Sequence, residues 1–492
     1  MARLAVIFTV LQVAAIVLDA LVRPRVDRRG GAMVRSAAGL WLNACMIAAL
    51  LGLFLALCGN PVLAALLALA APALLVLASN AKHAMLGEPL LFSDLALVGA
   101  IFRHPQFYLS AVQLWQRIGV AIVGAALLAI VGWLFVPAFA PHLAGLALTV
   151  IALAALGLTR RAAPIGRLAT IPDAAADVRR HGLLPTLLLY WLRWRDSRDP
   201  PPCGAIGRNP TADAPELVVV IQCESFADPV DLFGDPALAL PGLAAARAQA
   251  CHWGDLQVSG FGAYTMRTEY GVLFGRDEDA LGFRRYDPFL TALGEASYAL
   301  PARLGRPWHS LFVHPHDMRF YGRDAIMPAG GFAELVGEDR FTPPRPEEGR
   351  YVTDAAMTDV ILDLARTADG PALLYAVTIE NHGPWASDDA AGAGSADLVG
   401  SYLRLVSHSD AMLTALVDGL AAIGRPALLV FFGDHRPSIP GASMPGGVRH
   451  TPYVMLRTDG AGHVIAGANR RQDLTPAGLH HAILDAVLGP PA

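Results

Sequence analysis

The sequence predicts a chain in two parts: an N-terminal polytopic α-helical membrane domain, then an α/β domain with a mostly parallel central sheet flanked by helices. Three observations carry that prediction. At 492 residues the chain is long for one domain. Its mean hydropathy of +0.43 is concentrated in residues 1–160. Beyond residue 210, three continuous apolar runs end abruptly in charged or imidazole side chains. The corresponding boundaries are 1–160 for a membrane domain of about five helices, 161–210 for an interfacial helix and linker, and 211–492 for the α/β domain.

Within the first part, apolar stretches at roughly 4–22, 39–59, 61–79, 117–138 and 142–158 approach the length of a bilayer-crossing helix. Pro61 suits a tight connection between the second and third. A cleavable leader fits poorly, because further spans follow the first. Residues 80–110 are too charged for a span and too apolar for a free loop, which places them at the membrane surface; Glu88 and Asp94 would be costly in hydrocarbon. "GLLPTLLLYWL" (182–192), flanked by Arg179, Arg180, Arg193 and Arg195, reads as an interfacial helix. "DSRDPPPCGAIGRNPTADAPE" (196–216) reads as a linker. The loop after the first span carries Arg23, Arg25, Arg28, Arg29 and Arg35, so the positive-inside rule puts it in the cytoplasm. Five crossings would leave the C-terminal domain there too, and one more would reverse it.

A net charge of −4 argues against a nucleic-acid binder. The five cysteines form neither a disulfide framework nor a metal-type spacing.

In the second part, "ELVVVIQCESF" (216–226) ends in Glu224 and Ser225, "ALLYAVTIENHGPW" (372–385) in Glu380, Asn381 and His382, and "ALLVFFGDHRPSIPG" (427–441) in Asp434 and His435. Unbroken hydrophobicity marks strands buried on both faces of a parallel sheet. Amphipathic stretches at 353–367 and 399–422 supply crossover helices. Ligands of open α/β sheets bind beyond the carboxyl ends of the strands, so three such ends imply one shared site. Glu224, Asp434 and His435 offer two carboxylates and an imidazole, a set that suits one divalent ion, Mn²⁺ or Mg²⁺ with Zn²⁺ also compatible. "SGFGAYTMRTEYGVLFG" (259–275) offers a nucleophile, Thr265 or Thr268, in a Gly-rich lead-in to a helix, where backbone N–H groups favour an anion. Thr265 as a simple helix cap is the alternative. A site of two ions would instead recruit His314, His316, His408 or Asp410.

The order ESF, GAYTMRTEYG, FYGR (320–323), ENHGPW (380–385) and GDHRPS (433–438) resembles the lipoteichoic acid synthase or phosphoglycerol transferase group of the alkaline phosphatase and sulfatase superfamily. The likeness spans about residues 215–485, and "GEPLLFSDL" (87–95) agrees with the plan of the N-terminal half. It implies a sulfatase-like catalytic domain with one metal, Mn²⁺ first among the candidates, on Glu224, Thr265, Asp434 and His435, with Thr265 becoming a phospho-threonine. It implies that Arg323 and His382 hold a phosphoglycerol head group, with Tyr321 and Trp385 beside it and His314 and His316 as further pocket residues. Tyr321 stands where lipoteichoic acid synthases usually carry Trp, and Gly322 where they carry Asn, so the head-group pocket differs.

The implied reaction moves phosphoglycerol from a phospholipid, phosphatidylglycerol, to an envelope glycan or polymer. It takes place on the outer face of the cytoplasmic (inner) membrane, with a periplasmic or extracellular catalytic domain. That orientation is preferred over the loop-charge count, since a single extra crossing reverses the latter. Phosphoethanolamine transfer is the runner-up, followed by other sulfatase-like phosphodiester or sulfate hydrolases. Sulfate hydrolysis is disfavoured, because no Cys or Ser sits in a C/S-x-P-x-R setting. An inactive membrane scaffold in envelope or capsule assembly is the non-enzymatic alternative.

Overall fold

The computed structural model describes residues 2–25, 35–96, 114–160, 165–207, 214–345, 348–385 and 395–490. Arg28 and Arg29 of the first loop, residues 97–110 of the surface segment, and 161–164 and 208–213 of the connecting segment lie outside them. The chain forms two compact units, Met1–Ser197 and Arg198–Ala492.

The helical unit contains Ala2–Ala20, Ala37–Cys58, Pro61–Leu86, Leu114–Trp133 and Phe139–Arg160, followed by Ala174–His181 and Leu183–Asp196. Among the described residues, three helices, Ala37–Cys58, Pro61–Leu86 and Phe139–Thr159, are long and apolar enough to cross a membrane; Leu4–Ala20 and Ala121–Trp133 are shorter apolar helices. Leu66, Leu74, Leu77, Val123, Leu128 and Ile151 are exposed on the outside of this unit, the surface that lipid tails would cover. Helix ends follow from local chemistry. The Asn60 side chain accepts from the Val62 and Leu63 amides at 3.1 and 3.2 Å, with Pro61 in the first turn, and Gly59 closes the preceding helix in the left-handed region at φ +68°. The second and fifth helices touch backbone to backbone: a Cβ on Gly145 would lie 2.3 Å from the Ala56 nitrogen, so small residues make this packing possible.

Arg35 is buried here. Its Nε donates to Asp19 Oδ2 at 2.7 Å, and its Nη1 donates to the carbonyls of Val178 and Arg179 at 2.9 and 2.8 Å, at the end of helix Ala174–His181. The same Asp19 accepts from the Leu183 amide at 3.0 Å. In helix Leu183–Asp196, Leu183, Leu184, Leu187, Leu189 and Tyr190 are buried, and Tyr190 donates to Asp177 at 2.7 Å. The segment read as interfacial is therefore packed into the unit along its first half.

Among the described residues the sheet unit is built on nine strands: β1 Leu217–Cys223, β2 His252–Leu256, β3 His309–Val313, β4 Glu334–Val336, β5 Ala372–Val377, β6 Ala427–Gly433, β7 Thr451–Thr458, β8 Val464–Ile465 and β9 Arg470–Arg471. Their order is β4-β3-β5-β1-β6-β7-β2-β9, with β8 beside β7. From β4 to β6 every pairing is parallel, and β7 runs antiparallel to β6, β2 and β8. β1, β5 and β6 are buried at every residue, as their unbroken hydrophobicity predicts. β1 and β6 pair in register from Leu217↔Ala427 to Cys223↔Gly433, so Glu224 and Asp434 leave the sheet side by side. Helices Asp354–Thr367 and Ser395–Ile423 cover the core. Part of the stretch read as a linker is bonded to this unit: Asp199 accepts from Arg284 at 2.6 Å, and the Ile206 amide donates to the Arg303 carbonyl at 2.8 Å.

Candidate metal and nucleophile site

β5, β1 and β6 are neighbours, and their carboxyl ends share one edge. There Glu224, Asp434 and His435, all buried, bring one ligand atom each within 4.8 Å of one another. His435 Nε2 lies 3.6 Å from Glu224 Oε1 and 3.5 Å from Asp434 Oδ2. His435 Nδ1 is 3.1 Å from the Arg436 carbonyl; with the proton on Nδ1, the Nε2 lone pair faces the two carboxylates. Burial, and then the neighbouring Asp434 charge, push the Glu224 carboxyl up to about 8. Electron-rich atoms gathered in a buried place are what a divalent cation relieves, so the residues present fit a metal. Among the described residues no other group of His, Cys, Asp and Glu has that geometry.

The surroundings hold these ligands in place. Asp434 Oδ1 accepts from the amides of Ser225 and His435, each at 2.8 Å. Ser225, in the left-handed region at φ +52°, also donates its hydroxyl to Glu224 Oε1 at 2.8 Å, and the Glu224 amide donates to Thr378 Oγ1 at 3.0 Å. Gly433 has no alternative here: a Cβ would lie 1.9 Å from the Phe226 carbonyl oxygen.

Thr265 is the first residue of helix Thr265–Phe274, after Tyr264 in the left-handed region. Its hydroxyl donates to Asp434 Oδ2 at 2.8 Å, the carboxylate oxygen that also faces His435. Thr268 donates instead to the Asp434 main-chain carbonyl at 2.7 Å. The two threonines thus reach the same residue, but only the Thr265 hydroxyl contacts its carboxylate.

Arg323 begins helix Arg323–Ala329 and is buried. Glu269 grips it from one side, Oε1 accepting from Nε at 2.9 Å and Oε2 from Nη2 at 2.5 Å. The Tyr321 ring centre is 5.2 Å from its Cζ, and burial raises the Tyr321 phenol above its ordinary range. His382 is exposed, with Nδ1 2.6 Å from the Gly383 carbonyl and its ring 5.7 Å from that of Tyr351. Trp385 donates to Asn381 Oδ1 at 3.0 Å and meets Tyr402 edge-on at 5.5 Å, against the hydrophobic core. His314 follows β3, buried with Nδ1 2.9 Å from the Val377 carbonyl; burial and then Arg323 hold its pKa well below the usual imidazole range. His316 lies 6.0 Å from it, ring to ring, and burial lowers its pKa too.

His408 and Asp410 do not join the metal cluster. His408 Nδ1 lies 2.8 Å from Glu380 Oε1, and Asp410 accepts from the amides of Gly242 and Leu243 at the start of helix Pro241–Gln249. Sequence reasoning named Ser225 and Glu269 only as members of their motifs without giving either a role, and it passed over Thr378 and Gln222. The one local signal was Ser225, directly after the charged strand end.

The model of the Sulfatase family matches residues 216–488. The capsular polysaccharide biosynthesis protein RkpI of Rhizobium meliloti (strain 1021) is 29% identical over 435 residues, covering 82% of this chain and 79% of that protein. The integral membrane lipooligosaccharide phosphoethanolamine transferase A (EptA) of Neisseria meningitidis shares the fold over 92% of this chain and 87% of its own, with a TM-score of 0.52 at 13% identity. The Streptococcus pyogenes phosphoglycerol transferase GacH, solved with sn-glycerol-1-phosphate, aligns over 56% of this chain and 76% of its own at 17% identity; its TM-score of 0.43 is too low to weigh on substrate.

Proposed function

Because this chain belongs to the Sulfatase family, whose model matches more than half of its length, we propose that it is a membrane-bound phosphotransferase that moves a phosphoglycerol group from a phospholipid to an envelope glycan or polymer. The observation that carries the reading is the Thr265 hydroxyl, hydrogen-bonded at 2.8 Å to a carboxylate of the metal-type cluster. Glu224, Asp434, His435 and the Thr265 oxygen would hold one divalent ion, Mn²⁺ as the first choice, which when bound lowers the pKa of a coordinated hydroxyl and offsets phosphoryl charge.

Thr265 Oγ1 attacks the phosphorus of phosphatidylglycerol as its proton passes to the Asp434 carboxylate to which it already donates. The bond from phosphorus to the diacylglycerol oxygen breaks, and diacylglycerol leaves with a proton, giving a phosphoglycerol-threonine. An acceptor hydroxyl then attacks the same phosphorus, loses its proton and restores Thr265. Arg323 offsets charge on the phosphoryl oxygens, with His382, Tyr321 and Trp385 around the head group. The name of the RkpI relative, capsular polysaccharide biosynthesis, supports a surface glycan as acceptor, and hence a catalytic unit on the outer side of the cytoplasmic membrane.

Phosphoethanolamine transfer is the second reading, left open by Tyr321 and Gly322, where the head-group pocket departs from the lipoteichoic acid synthase pattern. Incubating the full-length protein with labelled phosphatidylglycerol or labelled phosphatidylethanolamine separates the two, because only the true donor labels the enzyme. Wild type labelled by neither lipid would favour a scaffold or an unrelated donor. A reporter fused after Ala492 is expected to be active outside the cytoplasm; activity inside would overturn the lipid-donor reaction.

A further inference from the structure

Arg323 is held by a chain of buried polar groups that begins on the same helix as Thr265. Glu269 lies four residues after Thr265, about one turn on and on the same helix face. Its carboxylate takes Nε and Nη2 of Arg323 at 2.9 and 2.5 Å. Gln222 of β1 donates to Glu269 Oε2 at 3.3 Å, and Tyr375 of β5 donates to Gln222 Oε1 at 2.7 Å. All four side chains are buried. The Phe312 ring centre lies 5.8 Å from the guanidinium carbon and that of Tyr321 5.2 Å. One edge of the guanidinium is therefore fixed and the remaining N–H groups point elsewhere, since the five donors form a rigid fork.

We propose that Glu269 is a positioning residue: it ties Arg323 to the helix that carries Thr265, with Gln222 and Tyr375 fixing Glu269 in turn, so that nucleophile and arginine meet the phosphoryl group in one set geometry. This rests on the phosphotransferase reading and names how its arginine is aimed. The competing role is that of a plain counter-ion that neutralises a buried cation. The two roles predict opposite signs. Removing the charge of a counter-ion leaves the arginine less neutralised and tightens binding of an anion; removing a positioning group loosens it although the site becomes more positive.

The test uses full-length protein in detergent with Mn²⁺, with glycerol phosphate as the binding probe and labelled phospholipid for turnover. Glu269→Asp keeps the charge but is one methylene too short to hold both nitrogens. It is expected to weaken glycerol phosphate binding about tenfold and to lower kcat about a hundredfold, the scale of a displacement of about 1 Å, with Mn²⁺ affinity unchanged. Glu269→Gln is expected to weaken glycerol phosphate binding as well. Should Glu269→Gln fail to fold, because an unpaired buried guanidinium is costly, Tyr375→Phe reads the same chain from its far end with a kcat loss of about threefold. Tighter glycerol phosphate binding by Glu269→Gln, or wild-type binding and kcat in Glu269→Asp, would overturn the proposal. Loss of Mn²⁺ binding in Glu269→Asp would also overturn it, by assigning Glu269 to the metal. A wild type that binds glycerol phosphate but takes label from no lipid would strike the proposed reaction and leave the positioning test readable through binding.

Discussion

Both units bury charge, in opposite ways. In the helical unit Arg35 meets Asp19 and two helix-end carbonyls, so each charge has an opposite partner. In the sheet unit Glu224 and Asp434 bring two carboxylates together beside His435 Nε2, and burial opposes the ionisation of Glu224. The first arrangement is complete as it stands. The second gathers negative charge that a cation would offset, and the hydroxyl of Thr265 donates into it. Buried charges that balance mark groups that hold a fold together, and buried charges that do not balance mark candidates for a ligand site.

The sharpest test of that contrast is Thr265→Ala. It should lower transfer by about 10³-fold or more and abolish the covalent adduct, while the melting temperature stays close to wild type. An adduct that survives would move the nucleophile elsewhere. Next in size, Arg35→Leu should destabilise the helical unit by about 3 kcal/mol, because Asp19 is left without its partner, whereas Arg35→Leu/Asp19→Leu should recover most of the loss. Thermal unfolding in detergent checks both variants.

For the sheet unit the sign reverses. In metal-free protein the Glu224 carboxyl is raised from 4.5 to about 8, so between those values the folded state binds more protons than the unfolded state, and stability falls as pH rises through the window. Asp354, raised to about 7 by burial and by Glu380, adds the same slope up to its own value. Glu224→Gln should therefore melt higher than wild type at pH 8 without metal, and lower than wild type once Mn²⁺ is added. The difference between the two proteins isolates Glu224 from Asp354. A Glu224→Gln protein no more stable than wild type in the metal-free state would remove the unbalanced-charge argument. Smallest of all, Thr268→Ala loses one hydrogen bond to the Asp434 carbonyl, about 1 kcal/mol, and should still form the adduct.

The same contrast explains what the sequence disclosed. β1, β5 and β6 were legible because a strand buried on both faces writes itself as an unbroken apolar run, and their chemistry-bearing ends followed from that. Arg35 was not. In the sequence it is one more loop cation, and its partners Val178 and Arg179 lie far along the chain. Helix Leu183–Asp196 was found, but its buried first half was hidden by the arginines around it. Trp385 was read as a pocket residue from its motif, and its contacts with Asn381 and Tyr402 depend on a chain path that no periodicity encodes. Glu269 was visible only as one letter of the GAYTMRTEYG motif, because a pair 54 residues apart leaves no local pattern.

For the proposed ion on Glu224 and Asp434, the register of β1 against β6 bears on metal choice. Since Cys223 and Gly433 are the last paired residues, Glu224 and Asp434 start from main-chain positions one strand spacing apart, about 4.8 Å. The gauge of the site is thus the repeat of the hydrogen-bonded lattice itself, the same in any parallel sheet and insensitive to loop sequence. A cation of another radius cannot be suited by moving the backbone, because slipping one strand by a residue would shift its carboxylate about 3.3 Å and turn it to the opposite face. Tuning is left to side-chain reach, the difference of one carbon between glutamate on one rail and aspartate on the other.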